Sequence, residues 1–134
     1  MSYYLGFDPG RDKCGVVVME PGGKIFFQAV IAAQQVSTTL TSLLEQYPIN
    51  SVVMGNQTTA KQWQEQLTNL LPSGVTIHLV DEHNSTLEAR QRYWQLYPPR
   101  GLTRLLPQGL RVPPRPVDDV VAILLVERFL SRNR

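Results

Sequence analysis

The 134-residue chain has a single cysteine, Cys14, so no internal disulfide can close and no cysteine-based zinc site can assemble within one chain. No apolar run is long enough to cross a bilayer, and the start Met1-Ser2-Tyr3-Tyr4-Leu5 lacks the basic, apolar and small-residue pattern of a signal peptide. These absences lead us to expect a cytoplasmic protein with no membrane partner, stabilised by packing alone. Repeats, low-complexity tracts and interdomain linkers are also missing. The composition is 43% hydrophobic and 18% charged, which is globular rather than disordered. The length suits one domain, residues 1–134, better than two.

Excess charge is scarce as well. A net +2 does not by itself point to a polyanionic partner, but the charge is unevenly placed. Between Arg90 and Arg115 lie six arginines (90, 92, 100, 104, 111 and 115) and no Asp or Glu, interleaved with Tyr93, Trp94 and Tyr97. Arginines can meet phosphates and rings can meet bases, so this stretch fits a nucleic-acid contact. It equally fits a solvated helix face followed by a basic loop.

Tyr3 to Asp8 and Lys13 to Glu20 are β-branched and aromatic runs separated by Pro9-Gly10-Arg11-Asp12, which predicts a hairpin. Pro21-Gly22-Gly23 then turns the chain into a third extended run, Lys24 to Ala33. From Val36 the apolar spacing becomes helical (Val36, Leu40, Leu43, Leu44, Tyr47), and Pro48 stops it. Ser51 to Gly55 is a fourth strand, Thr59 to Leu71 a second helix, and Val75 to Glu82 a fifth strand. Ser85 and Glu88 match a capping box opening a third helix. Six of the ten prolines fall between Pro98 and Pro116, which rules out a regular helix there and predicts a long loop. Pro116 suits the first position of a last helix, Val117 to about Ser131, whose apolar stretch Val120 to Val126 requires burial. This order predicts an α/β fold: a mixed five-stranded sheet, its first three strands antiparallel, with helices on both faces.

Acids stand at telling places. Asp8 ends the first strand before Pro-Gly, where it either projects from the carboxyl end of the sheet or serves as a turn former. Asp81 and Glu82 end the fifth strand. Period-two alternation lets only one of them share a face with Asp8, and spacing alone does not choose between them. Asp118 and Asp119 open the last helix about 100° apart, favoured there by the helix dipole yet costly to bury unless paired or metal-bound. Together they suggest an oxygen-rich pocket for Mg²⁺ or Mn²⁺. Two such ions roughly 4 Å apart can activate water and stabilise the leaving oxygen in phosphodiester hydrolysis.

Three blocks carry a resemblance. Leu5-Gly6-Phe7-Asp8-Pro9-Gly10 with Cys14-Gly15-Val16-Val17-Val18 resembles the first hairpin of the RuvC-like branch of the ribonuclease H fold. Asp81-Glu82-His83-Asn84-Ser85-Thr86-Leu87-Glu88-Ala89-Arg90 is similar to the "DER-ST-EAR" block of the YqgF family of Holliday junction resolvases and pre-16S ribosomal RNA nucleases. Val117-Asp118-Asp119-Val120-Val121-Ala122 resembles that family's final motif. The blocks arrive in family order and span nearly the whole chain. The resemblance implies a ribonuclease H-like fold with Asp8, Glu82 and Asp118 as metal-binding catalytic acids and Asp119 as a further metal ligand. It thereby selects Glu82 over Asp81. RuvC itself places its glutamate at the end of the fourth strand, where this chain has Gly55-Asn56, so the YqgF branch is the better match. His83 stands where the family has Arg, and Asn56-Gln57-Thr58-Thr59 replaces the usual residues after the fourth strand.

The expectation is a metal-dependent endonuclease acting on structured RNA or branched DNA, either in pre-16S rRNA 5′-end processing or in junction resolution. Arg11, Lys61, Arg90, Arg111 and Arg115 are candidate phosphate contacts, and the oligomeric state is monomer or homodimer. The alternative is a catalytically inactive nucleic-acid-binding adaptor of the same fold.

Overall fold

The computed structural model describes residues 3–57, 59–107, 110 and 113–132. Strands β1 (Tyr3–Asp8), β2 (Lys13–Met19) and β3 (Ile25–Ala32) form an antiparallel meander, followed by helix α1 (Val36–Gln46). Then come β4 (Ile49–Gly55), α2 (Ala60–Leu70), β5 (Thr76–Val80), α3 (Ser85–Leu96) and α4 (Asp118–Arg132). The sheet order is β3-β2-β1-β4-β5, with β4 parallel to β1 and β5 parallel to β4, as helical crossovers require. The expected mixed five-stranded sheet with an antiparallel start is what the chain forms.

Period-two alternation sorts the strand residues into two cores. Leu5 and Phe7 of β1, Val16 and Val18 of β2, and Val52 and Met54 of β4 pack with Val36, Leu40, Leu43 and Leu67 of α1 and α2. Their alternates, Val17, Met19 and Val53, face Ala89 of α3 and the apolar length of α4 from Val120 to Val126. Each fully buried Leu or Phe contributes about 1.5–3 kcal/mol from area removed from water. Helices therefore cover both faces. Among the described residues no helix is long and apolar enough to cross a membrane.

Several local expectations are corrected. β5 stops at Val80, so Asp81 and Glu82 lie in the turn beyond it, where strand alternation no longer assigns their faces. The capping box does not form: Asn84, in left-handed conformation at φ 59°, precedes α3 without a side-chain cap, and Glu88 pairs with Arg128 at 2.9 Å instead. α4 begins at Asp118, two residues after Pro116, with Val117 accepting the first helical hydrogen bond from Val121 N–H at 2.9 Å. The proline-rich loop includes a 3₁₀ turn, Gly101–Leu105, which satisfies a little of its backbone without regular helix.

α4 crosses β1 and β2 closely enough to touch backbone. An ideal Cβ on Gly15 would lie 1.9 Å from the Asp118 carbonyl oxygen, so only glycine lets the helix start settle there. Gly15→Ala should therefore cost about 1–3 kcal/mol by overpacking, seen as a lower urea midpoint with an unchanged m-value. A midpoint equal to that of the native chain would show that the contact is dispensable.

Candidate active site

Asp8 is the last residue of β1 and sits level with two glycines. Gly15 pairs with it across β2, and one residue beyond the Phe7–Met54 pair, Gly55 comes level with it on β4. Counting by twos, Asp8, Gly15 and Gly55 all present the face covered by α4. Because neither neighbour has a side chain, the space beside Asp8 is open to other parts of the chain. The backbone of Asp118 fills the Gly15 side. The carboxylate of Glu82 fills the Gly55 side, where a Cβ would lie 1.6 Å from Glu82 Oε1.

Three acids thus converge from β1, the β5–α3 turn and the first residue of α4. Asp8 is 9% exposed, and its carboxyl lies close enough to those of Glu82 and Asp118 to feel both charges. Burial, then the charges of Glu82 and Asp118, push the Asp8 carboxyl up to about 8. Glu82 and Asp118 are also raised, chiefly by burial; Arg128 opposes the rise at Glu82 and Lys13 opposes it at Asp118. Glu82 Oε1 is buried with no hydrogen-bond partner.

The donor chemistry fits a hard divalent cation, since it consists of carboxylates alone with one oxygen unsatisfied. The spacing differs from a finished coordination shell: among the described residues no three His, Cys, Asp or Glu side chains are preset to hold a metal ion.

Asp119 stands apart from the cluster, contrary to its expected place as a further ligand. It is 3% exposed, and both of its oxygens are occupied: Gln28 Nε2 donates to Oδ2 at 2.7 Å and Arg115 Nη1 donates to Oδ1 at 2.9 Å. The 100° step along the helix turns it toward β3. Arg115, expected to be a phosphate contact, is held in the same group, with its guanidinium over Tyr93 at 5.3 Å and Tyr97 at 5.5 Å. Asp81 caps its own turn, accepting from the His83 N–H at 3.0 Å, and His83 is exposed. Arg11, Lys61 and Arg90 are exposed, the first two in or beside connections at the same end of the sheet as Asp8. Arg111 lies outside the described residues.

The sequence reading missed Lys13 and Arg128. Lys13 opens β2 on the hairpin that carries Asp8, a placement that could have suggested it. Arg128 grips backbone 47 and 45 residues away along the chain, which no local pattern announces.

No protein-family model and no curated protein matches the chain. Among solved structures it is similar to Thermus thermophilus RuvC in complex with Holliday junction substrate, at 18% identity over 99% of this chain and 96% of that one, with a TM-score of 0.59. A second structure of Thermus thermophilus RuvC gives a TM-score of 0.60 at 16% identity, covering 98% of this chain and 96% of that one. The chain has the RuvC-like ribonuclease H fold. Within this RuvC-like frame Glu82 reaches the carboxyl end of β4 from the neighbouring β5–α3 turn, over the bare Gly55.

The raised Asp8 sets a pH dependence for the metal-free protein. Its unfolded value is near 3.8 and its folded value near 8, so the protonated form favours folding and stability falls as pH rises through that window. Asp8→Asn should remove this fall and leave the chelator-treated protein more stable than native at pH 8 by at least about 1 kcal/mol, with little difference near pH 4. Thermal melts in EDTA across pH 4–9 measure it; parallel curves for the two proteins would contradict the coupling.

Proposed function

We propose that the chain is a metal-dependent endonuclease hydrolysing phosphodiester bonds in structured nucleic acid, with Asp8, Glu82 and Asp118 holding divalent cations, Mg²⁺ or Mn²⁺. The observation that carries the reading is the convergence of one buried and two half-buried carboxylates, one with an unsatisfied oxygen, at the carboxyl end of β1 and β4. Ionised together they repel one another in a poorly solvated place, and a divalent cation offsets that repulsion. The RuvC likeness of the fold supports the same reading.

Bound cations would activate a water for attack on the phosphorus and stabilise the departing oxygen. The chain's own groups do the positioning. Asp8 lies between the other two acids, so it is the centre of the cluster. Lys13, beside Asp118, offers positive charge to an incoming phosphate, and exposed Arg11 and Lys61 extend that charge around the same end of the sheet. A cavity of about 760 Å³ bordered by Lys13, Gln28, Tyr97 and Arg115 lies against the first turn of α4 and gives room for a flanking nucleotide strand.

Because RuvC of Thermus thermophilus was solved with a Holliday junction, a four-way DNA junction is the first substrate to test, and RNA bearing the pre-16S 5′ extension is the second. Junction resolution calls for two symmetric active sites, whereas a monomer favours RNA processing. The absence of a preset ligand triad among the described residues favours one competing reading, a non-cleaving nucleic-acid adaptor. We expect cleavage in Mg²⁺ or Mn²⁺ that stops with EDTA and drops more than about 100-fold in Asp8→Asn and in Glu82→Gln, since loss of an acid ligand exceeds the usual effect of an outer-shell change. Salt-sensitive binding with no cleavage of either substrate would establish the adaptor instead. Equal cleavage by native and substituted proteins would remove the acids from the chemistry.

A further inference from the structure

Glu82 is the one acid of the three carried by a turn rather than by a strand end or a helix. A turn residue needs a separate anchor if its carboxylate is to stay in place. Two contacts within the turn close it: Ser85 N–H donates to the Glu82 carbonyl at 2.8 Å, and His83 N–H donates to Asp81 Oδ1 at 3.0 Å. The third restraint comes from far away in the chain. On α4, Arg128 Nη1 donates to the Asp81 carbonyl at 2.8 Å and Nη2 donates to the His83 carbonyl at 3.0 Å. The same Nη2 meets Glu88 Oε1, in the first turn of α3, at 2.9 Å.

We propose that Arg128 is a positioning residue for Glu82: its guanidinium fork grips the peptide carbonyls on both sides of Glu82 and sets its carboxylate over Gly55, against Asp8. This rests on the proposed metal-dependent chemistry for its functional consequence, while the grip itself is independent of that reading. Resting on geometry, the assignment follows from three facts. The two gripped carbonyls belong to residues 81 and 83, so the restraint brackets the backbone of residue 82 and reaches neither Asp8 nor Asp118. A planar fork reaches two carbonyls and a carboxylate at once, which a lysine ammonium on its flexible stem does not reproduce. The companion pair Arg92–Glu127, at 2.7 Å, already ties α3 to α4 without touching the turn, so Arg128 is not needed merely to join those helices.

Arg128→Met keeps the apolar stem and removes the fork. Three full-length variants (Arg128→Met, Arg128→Lys and Arg92→Met) are compared with native protein by calorimetric titration with Mn²⁺ and by amide hydrogen exchange of His83 and Ser85. We expect Arg128→Met to bind Mn²⁺ about 10- to 100-fold more weakly, the range for a group that orients a ligand, with faster exchange at both amides. Arg128→Lys should recover part of each effect. Arg92→Met should leave Mn²⁺ affinity within about twofold of native and exchange at the turn unchanged, whatever it does to the melting temperature. In a Glu82→Gln background, Arg128→Met should weaken Mn²⁺ no further, because the two act through one carboxylate. Native affinity in Arg128→Met, or an equal loss in Arg92→Met, overturns the proposal. If the native chain binds no Mn²⁺, the nuclease reading falls and exchange decides the grip alone: lost protection in Arg128→Met but not in Arg92→Met upholds it, and unchanged protection in both defeats it.

Discussion

Everything at the candidate site depends on one row of the sheet in which an acid stands between two residues without side chains. Gly15 and Gly55 flank Asp8 on the face covered by α4. Any side chain at either position would occupy space now filled by the Asp118 backbone or the Glu82 carboxylate. The row therefore works as a socket. Convergence of three acids is a packing result before it is an electrostatic one, and burial in that socket is the first cause of the rise in each carboxyl's proton affinity.

Around the socket lies a second polar assembly of different character. Asp119, Gln28 and Arg115 satisfy one another, and Arg115 rests on Tyr93 and Tyr97, so β3, α3 and the start of α4 are tied at one corner. Here a buried carboxylate is fully paired, which removes most of the cost of its desolvation. Neighbouring residues on one helix turn, Asp118 and Asp119, thus have opposite circumstances: one is left among like charges, the other is matched.

Much of the fold was legible because alternation and helical spacing are local. β1, the β1–β2 turn, the two-faced burial of β4 and the apolar length of α4 all follow from runs of adjacent residues. Asp8 and Asp118 each stand beside a boundary signal, a strand end before Pro-Gly and a helix start after Pro116. What could not be read was set by distant contacts. The strand ending at Val80 rather than Glu82 decided how the Asp81 and Glu82 side chains are placed, and the Glu88–Arg128 pair replaced the capping box that local spacing favoured. The expectation of Asp119 as a metal ligand and Arg115 as a phosphate contact could not take in their partners, β3 and the α3 aromatics, which are separated from them in sequence.

Arg128 and Asp118 are on the same helix, and this divides the three acids into two mechanical groups. Asp8 belongs to the first hairpin. Asp118 opens α4, and the turn bearing Glu82 is hooked to that helix through Arg128. Two of the acids therefore share one support and the third has another. The spacing of the cluster is set by how one apolar helix seats on two strands.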